Sequence, residues 1–489
     1  MKEMFRINGL PNDTTMILFR NYPPGSAVFM YFIGKVVGYS ESIMLMAQGF
    51  LLISNIIVLQ VFANWRNPVQ IFLSFLAGIS LLFVIEGHIY NLLVDTLLGV
   101  TALSITIIAY YYKNDWVRNV LTNTPILILL LLIKDSGKLF FIINVAIIIW
   151  IIYSYEIKGK VTKSKKRTII LISLLAVLIF PLFTNFLWGQ YTETAYPNES
   201  YEENKFAITP DRLLTIDKSE EVIRELGPNL LKQATDPTNN NVISMLLLNG
   251  LLLLFMIRTY RKTKETPKLL MSVWIIMNIF YVLYIFTLYL MYLFLMPENE
   301  AARLAGFSRY HSTVVIYIIG VFMTAIILHW SKANFTLKNA VLKTTATLCL
   351  GFIFIYPFHE NINTLLSRPD VTNSLRLDVK TKFNTIKMAG AKQPTVTYYS
   401  PNSKDDRGYL RYVLSYEQLS NNYYIFRSLD TNEKQESFVR HLNKSHYLVV
   451  VDSDKDINKF LGNYVSTDDV EGVYKVIPRK EDFTLKTIK

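Results

Sequence analysis

The chain has 489 residues, 51% of them hydrophobic and only 18% charged, with a net charge of +12 and one cysteine, Cys349. So little charge over that length excludes an ordinary soluble chain and makes the bilayer its solvent. The basic residues fall in short clusters between apolar runs, which excludes a nucleic-acid-binding face, and a lone thiol can form neither an intrachain disulfide nor a thiolate metal cluster.

Residues 1–40 come first. Met1–Leu18 is polar and mixed and shows no signal peptide. Asn21-Tyr22-Pro23-Pro24-Gly25-Ser26 is a turn, because two prolines remove donors and the glycine frees the backbone. It leads into Ala27–Val37, which is short for a span and carries Lys35, so it reads as an interfacial helix ending at Gly38. The alternative is an ordinary proline-rich helix start.

Crossing roughly 30 Å of hydrocarbon takes about 20 apolar residues. Ten spans are predicted within 41–360: Ile43–Ala63, Val69–Glu86, Leu92–Tyr111, Val120–Ile133, Leu139–Tyr153, Thr168–Trp188, Val242–Ile257, Leu269–Leu295, Thr313–Trp330 and Val341–Phe358. The fourth and fifth are short and admit a second reading as one broken pair around Lys134–Lys138.

Basic clusters recur after every second span: Arg66; Lys113 and Arg118; Lys158, Lys160, Lys163, Lys165, Lys166 and Arg167; Arg258, Arg261, Lys262, Lys264 and Lys268; Lys332 and Lys338. That side is expected to be cytoplasmic. The long 189–241 segment falls on the other side; it is acidic and reads as a solvated loop. The same parity puts the N-terminus and residues 361–489 outside. An outside N-terminus without a leader helix is awkward to export, so an earlier span is expected to be missing, by truncation or a late start codon; a count wrong by one helix is the alternative.

From Asn361 the apolar runs shorten. Thr395–Tyr399, Tyr423–Phe426, Tyr447–Val451 and Val473–Ile477 read as strands, with helical patterns at Ser374–Met388, Glu436–Asn443 and Asp456–Asn463. This alternation predicts a small α/β domain. Pro401-Asn402-Ser403 and Asp405–Gly408 read as turns. Asp452, Asp454 and Asp456 form either a cation site or a solvated strand-end loop.

Charges near the outer ends of spans are the candidates for chemistry, since a charge at membrane depth is costly. Asp95 is the candidate base or cation holder, with Glu86 and His88 nearby. Lys134 and Lys138 flank an outer turn, and Arg303, Arg309, Tyr310 and His311 precede a span. A guanidinium matches phosphate bidentately, so Arg303 and Arg309 are candidates for a lipid-linked phosphate; the alternative is snorkelling at a helix end. His329, His359, His441 and His446 have no metal-ligand spacing, and no residue is assigned to a metal.

Lys2-Glu3-Met4-Phe5, Leu10-Pro11 and Asn21-Tyr22-Pro23-Pro24-Gly25 resemble the end of the first outer loop of GT-C-type membrane glycosyltransferases, such as the protein O-mannosyltransferases and aminoarabinose transferases. Tyr90–Asp95, Ala302–Ala305 and Ser308-Arg309-Tyr310 extend the likeness, as does an outer α/β domain after the last span. The resemblance implies inverting transfer of a sugar from a polyprenyl-phosphate carrier to an acceptor in a bacterial cell envelope. Tyr22, Lys134, Arg303, Arg309 and Tyr310 would bind substrate, and membrane lipid would be the surroundings. In that family an acidic residue upstream of the Tyr-Pro-Pro-Gly turn activates the acceptor, often with a divalent metal. Only Glu3 and Asp13 precede the turn here, so Asp95 is the remaining catalytic candidate.

The expectation is thus an α-helical polytopic protein of the plasma membrane, with about ten transmembrane helices and a small C-terminal α/β extracytoplasmic domain. The competing reading is a transporter, flippase or polymerase of cell-surface polysaccharide. A flippase would show internal repeats and midplane charges, and the sequence shows charges at the outer ends instead.

Overall fold

The computed structural model describes residues 1–12, 15, 20–84, 92–158, 163–196, 217–332, 340–360, 374–390, 393–401, 408–462, 464–465, 470–479 and 483–488. Glu86, His88, Tyr90, Asn91, Asp13 and most of the two turns expected at 401–408 lie outside that set.

Hydrocarbon offers no water to satisfy N–H and C=O groups, so the apolar runs close their hydrogen bonds internally as helices. In chain order these are α1 Lys2–Ile7, α2 Gly25–Val37, α3 Glu41–Ile56 with a 3-10 extension Ile57–Phe62, α4 Pro68–Val84, α5 Asp95–Tyr111 and α6 Trp116–Ile133. Then follow α7 Gly137–Ile151 with a π-helical extension Ile152–Ile157, α8 Lys163–Leu174 running through a π turn into α9 Phe180–Ala195, and α10 Glu220–Ala234. The unit ends with α11 Asn240–Thr263, α12 Lys268–Phe294, α13 Glu298–Ala302, α14 Phe307–Lys332 and α15 Ala340–Ile355.

Among the described residues, seven helical stretches are long and apolar enough to cross a membrane: Glu41–Phe62, Trp116–Ile133, Gly137–Ile157, Arg167–Ala195, Asn240–Thr263, Lys268–Phe294 and Phe307–Trp330. α2, α4, α5 and Thr344–Phe358 are apolar but shorter. The second, third and tenth predicted spans therefore correspond to short helices. The fourth and fifth are two full helices, because Asp115 caps α6 a turn earlier than the apolar run begins and α7 continues to Ile157. The 189–241 segment is not a loop throughout. α9 extends to Ala195, and α10 is amphipathic, burying Leu226, Leu230 and Ala234.

Two helices form the centre. The apolar window of α14 is 94% buried, and α5 buries nearly every residue from Asp95 to Ile105. A helix apolar on all sides belongs inside the bundle. The two approach closely at Gly99, where a Cβ would stand 2.5 Å from the Thr313 carbonyl oxygen. Polar side chains stitch the layers around them. Ser104 donates to Asn55 (2.8 Å), while Thr106 donates to Asn144 (2.8 Å) and pairs with the Tyr317 hydroxyl (2.9 Å), joining α3, α5, α7 and α14. At the N-terminal end, α1 lays Phe5 against Tyr31 and Tyr39, so α1 and α2 form a helical pair with Asn8 tied to Tyr31 and Lys35.

The C-terminal unit has its own core. After α16 Leu375–Met388 come β1 Val396–Tyr399, α17 Tyr409–Gln418, β2 Tyr423–Phe426, α18 Asn432–Leu442, β3 Tyr447–Val450, α19 Lys455–Leu461, β4 Gly472–Pro478 and β5 Phe483–Ile488. The sheet order is β2-β1-β3-β4-β5, the first three strands parallel and β4 and β5 antiparallel. Alternation along the strands divides two cores. Val396, Tyr398, Tyr447 and Val449 pack with α16 and α17; Tyr399, Leu448 and Val450 pack with α18 and α19. The four expected strands are present, and β5 and α17 are additional. Asp454 caps α19 by accepting from the backbone of Asp456 and Ile457, and also accepts from the Tyr399 hydroxyl, while Asp452 accepts from Ser400. These bonds engage both carboxylates in the strand-end loop.

Candidate functional site

Four helices begin close together: α2 at Gly25, α5 at Asp95, α7 at Gly137 and α14 at Phe307. Each start presents the positive end of a helix dipole, so their meeting point favours an anion. Close packing brings the turn at Tyr22–Pro24 to this point. A Cβ on Gly25 would lie 2.7 Å from the Leu132 carbonyl oxygen, so only glycine lets α2 start against the end of α6.

Five of the six expected substrate or catalytic residues meet here. Lys134, at the C-cap of α6, reaches Asp95 at 2.5 Å, and Arg309 in the first turn of α14 lies 3.9 Å from the other oxygen of the same carboxylate. Lys134 also stands over the Tyr310 ring, 4.6 Å from its centroid, and the Arg309 guanidinium lies 5.6 Å from that centroid. Tyr22 belongs to the same electrostatic neighbourhood, with Asp95, Tyr310, Asp135 and Arg309 around it. Burial of its hydroxyl end, reinforced by Asp95, pushes its phenol well above the ordinary range, although 42% of the residue surface is exposed. Arg303 stands apart. It is exposed and, among the described residues, enters no ion pair.

The charges do not cancel. Asp95 contributes one negative charge and Lys134 and Arg309 two positive ones, so this triad carries +1, with the Glu300 carboxylate acting on Tyr310 from α13. Desolvation holds the Lys134 ammonium below the ordinary lysine pKa, with Asp95 opposing the drop. Lys138 is paired with Asp135 at 2.8 Å, on the exposed face of the same turn. Arg309 has about a third of its side chain exposed; beside its long contact to Asp95 it bonds the Tyr310 side chain, and the rest of its guanidinium fork is left for an oxyanion.

A row of tyrosines on α12 fixes the start of α14. Tyr292 donates to the Ala305 carbonyl (2.9 Å) and Tyr284 to the Tyr310 carbonyl (3.0 Å). Tyr281 donates to the Ala234 carbonyl (2.8 Å), so the His311 Nε2–H donates to its hydroxyl (2.9 Å) and the buried Nδ1 is left unpartnered. None of these tyrosines was a sequence candidate. Their signal was the spacing 281, 284, 292, which lies on one helical face.

The divalent metal suggested by the resemblance does not fit this set. The cluster has one carboxylate, already shared by two cations, and among the described residues no three His, Cys, Asp or Glu side chains form a metal group. No family model matches the chain, and no curated protein matches it.

Proposed function

We propose that the chain is a polytopic membrane glycosyltransferase that moves a sugar from a polyprenyl-phosphate carrier to a cell-envelope acceptor. In this reading ten helices cross the plasma membrane and the C-terminal domain lies outside. One observation carries it: two cations, Lys134 and Arg309, share the single carboxylate of Asp95 beside Tyr310 and Tyr22, where four helices begin.

Such a site suits a sugar phosphate at its leaving end. The acceptor hydroxyl oxygen forms the new bond to the anomeric carbon as the bond from that carbon to the phosphate oxygen breaks. The carrier phosphate keeps the electron pair, and the acceptor proton passes to a base. Arg309 and Lys134 stabilise the charge growing on the phosphate in a dry setting, where fixed cations act strongly. Tyr310 and Tyr22 provide ring faces beside the sugar. The lone pairs of Asp95 are engaged by Lys134, so it acts best as a positioning residue that aims both cations.

The test is transfer from a polyprenyl-phosphate sugar to envelope acceptors in proteoliposomes, with wild type and Arg309→Ala. Loss of one guanidinium at a phosphate is expected to lower turnover by about 100-fold or more. Unchanged turnover removes Arg309 from the mechanism. Translocation of the lipid-linked sugar without transfer would replace the proposal with the flippase reading.

A further inference from the structure

The opposite end of α5 carries a second feature that the transfer chemistry does not use. A narrow, partly open slot of about 70 Å³ lies between α5, α7, α12 and α14, and its walls are almost wholly apolar, with Tyr110, Ile147, Trp150, Val273, Ile276 and Val321 among them. Tyr110 is fifteen residues beyond Asp95, about 22 Å along the helix, so slot and cation cluster face different leaflets. Water has no partners on such walls, and an apolar chain does.

Lys113 marks the slot's polar end. Its ammonium lies 4.0 Å from the centroid of Tyr110, a wall residue, and 5.2 Å from that of Tyr155, whose ring packs edge-on against Tyr110. Lys113 is half-buried, and among the described residues it has no carboxylate partner. Lys268 adjoins the wall residue Leu269 and is likewise without an ion pair among the described residues. An apolar slot with an ammonium at its edge, on ring faces and, among the described residues, without a carboxylate partner, is complementary to one kind of molecule: a fatty chain with an anionic head.

We propose that this slot holds one acyl chain of an anionic bilayer phospholipid, whose phosphate rests on Lys113. The site depends on the membrane placement of the bundle and not on the transfer reaction.

The experiment is native mass spectrometry of the full chain, released from detergent after incubation with phosphatidylglycerol or phosphatidylcholine of the same chain length. Wild type is expected to retain one phosphatidylglycerol, in preference to phosphatidylcholine. Lys113→Gln, a change outside the helices, is expected to reduce that preference about fivefold, the effect of one lysine on an anionic head. Val273→Phe narrows the slot and is expected to lose both lipids. Equal retention of the two lipids by wild type, or full retention by both variants, overturns the proposal. Displacement of phosphatidylglycerol by a short polyprenyl phosphate at equal concentration also overturns it, by assigning the slot to an isoprenoid. If Val273→Phe does not fold, the Lys113→Gln comparison still decides.

Discussion

Removing Lys134 tests whether the cation cluster is one electrostatic unit. At an effective dielectric of about 20, a charge pair at 2.5 Å attracts by about 7 kcal/mol and one at 3.9 Å by about 4 kcal/mol. Desolvation offsets most of this, because the side chains of Lys134 and Asp95 are only 15% and 8% exposed. Lys134→Met leaves Asp95 buried with its weaker partner, and the expected loss is about 3 kcal/mol, the low end for a broken buried pair. Asp95→Asn strands Lys134 instead and is expected to cost a similar amount. If the two act together, the double variant loses well under the sum, with a coupling of about 2 kcal/mol. Equilibrium unfolding of all four proteins in mixed micelles at pH 7 closes the cycle. Additivity within about 0.5 kcal/mol would refute the reasoning, since the single losses would then come from packing alone.

Three other outcomes follow from the same geometry. Gly99→Val drives a side chain into the Thr313 carbonyl and is expected to destabilise the bundle by about 1–3 kcal/mol, read as a lower thermal midpoint; Gly49→Val, in open space, serves as the control. Tyr284→Phe removes the bond to the Tyr310 carbonyl and is expected to cost about 1 kcal/mol in the same unfolding assay. Stability should also rise with pH through Lys134, over the range below the ordinary lysine pKa. The folded ammonium releases its proton at lower pH than the unfolded one, so the unfolded state binds more protons between those two points. A pH series of unfolding curves checks this, and Lys134→Met should flatten the slope.

Much of this was legible in the sequence, and the failures have physical causes. Apolar runs located the helices, because hydrocarbon leaves the backbone no other choice. Their lengths were harder to read. α6 starts at Trp116 because Asp115 caps it, a local hydrogen bond that hydropathy does not see. Glu220–Ala234 was hidden by its acidic composition, although Leu226, Leu230 and Ala234 follow helical spacing. Tyr22, Asp95, Lys134, Arg309 and Tyr310 could be singled out one at a time as charges or turns at helix ends. That they converge depends on Gly25 and Gly99, whose missing side chains let the helices touch, and a sequence does not display such contacts. Arg303 shares the residue type and the neighbourhood of Arg309, but it lies outside the tyrosine-held turn and is exposed.

The depth of α14 has a consequence for how the protein is made. Among the described helices of the bundle it is the second to last in chain order, yet its apolar window is 94% buried. During synthesis, α3, α5 and α7 would enter the bilayer long before residue 307 emerges, with Thr106 and Asn144 still short of Tyr317. The nascent bundle lacks its most buried helix until that late segment arrives. A ribosome stalled before Phe307 would therefore hold an incomplete ring of helices with its polar seam facing lipid, the kind of intermediate that membrane quality-control proteases recognise.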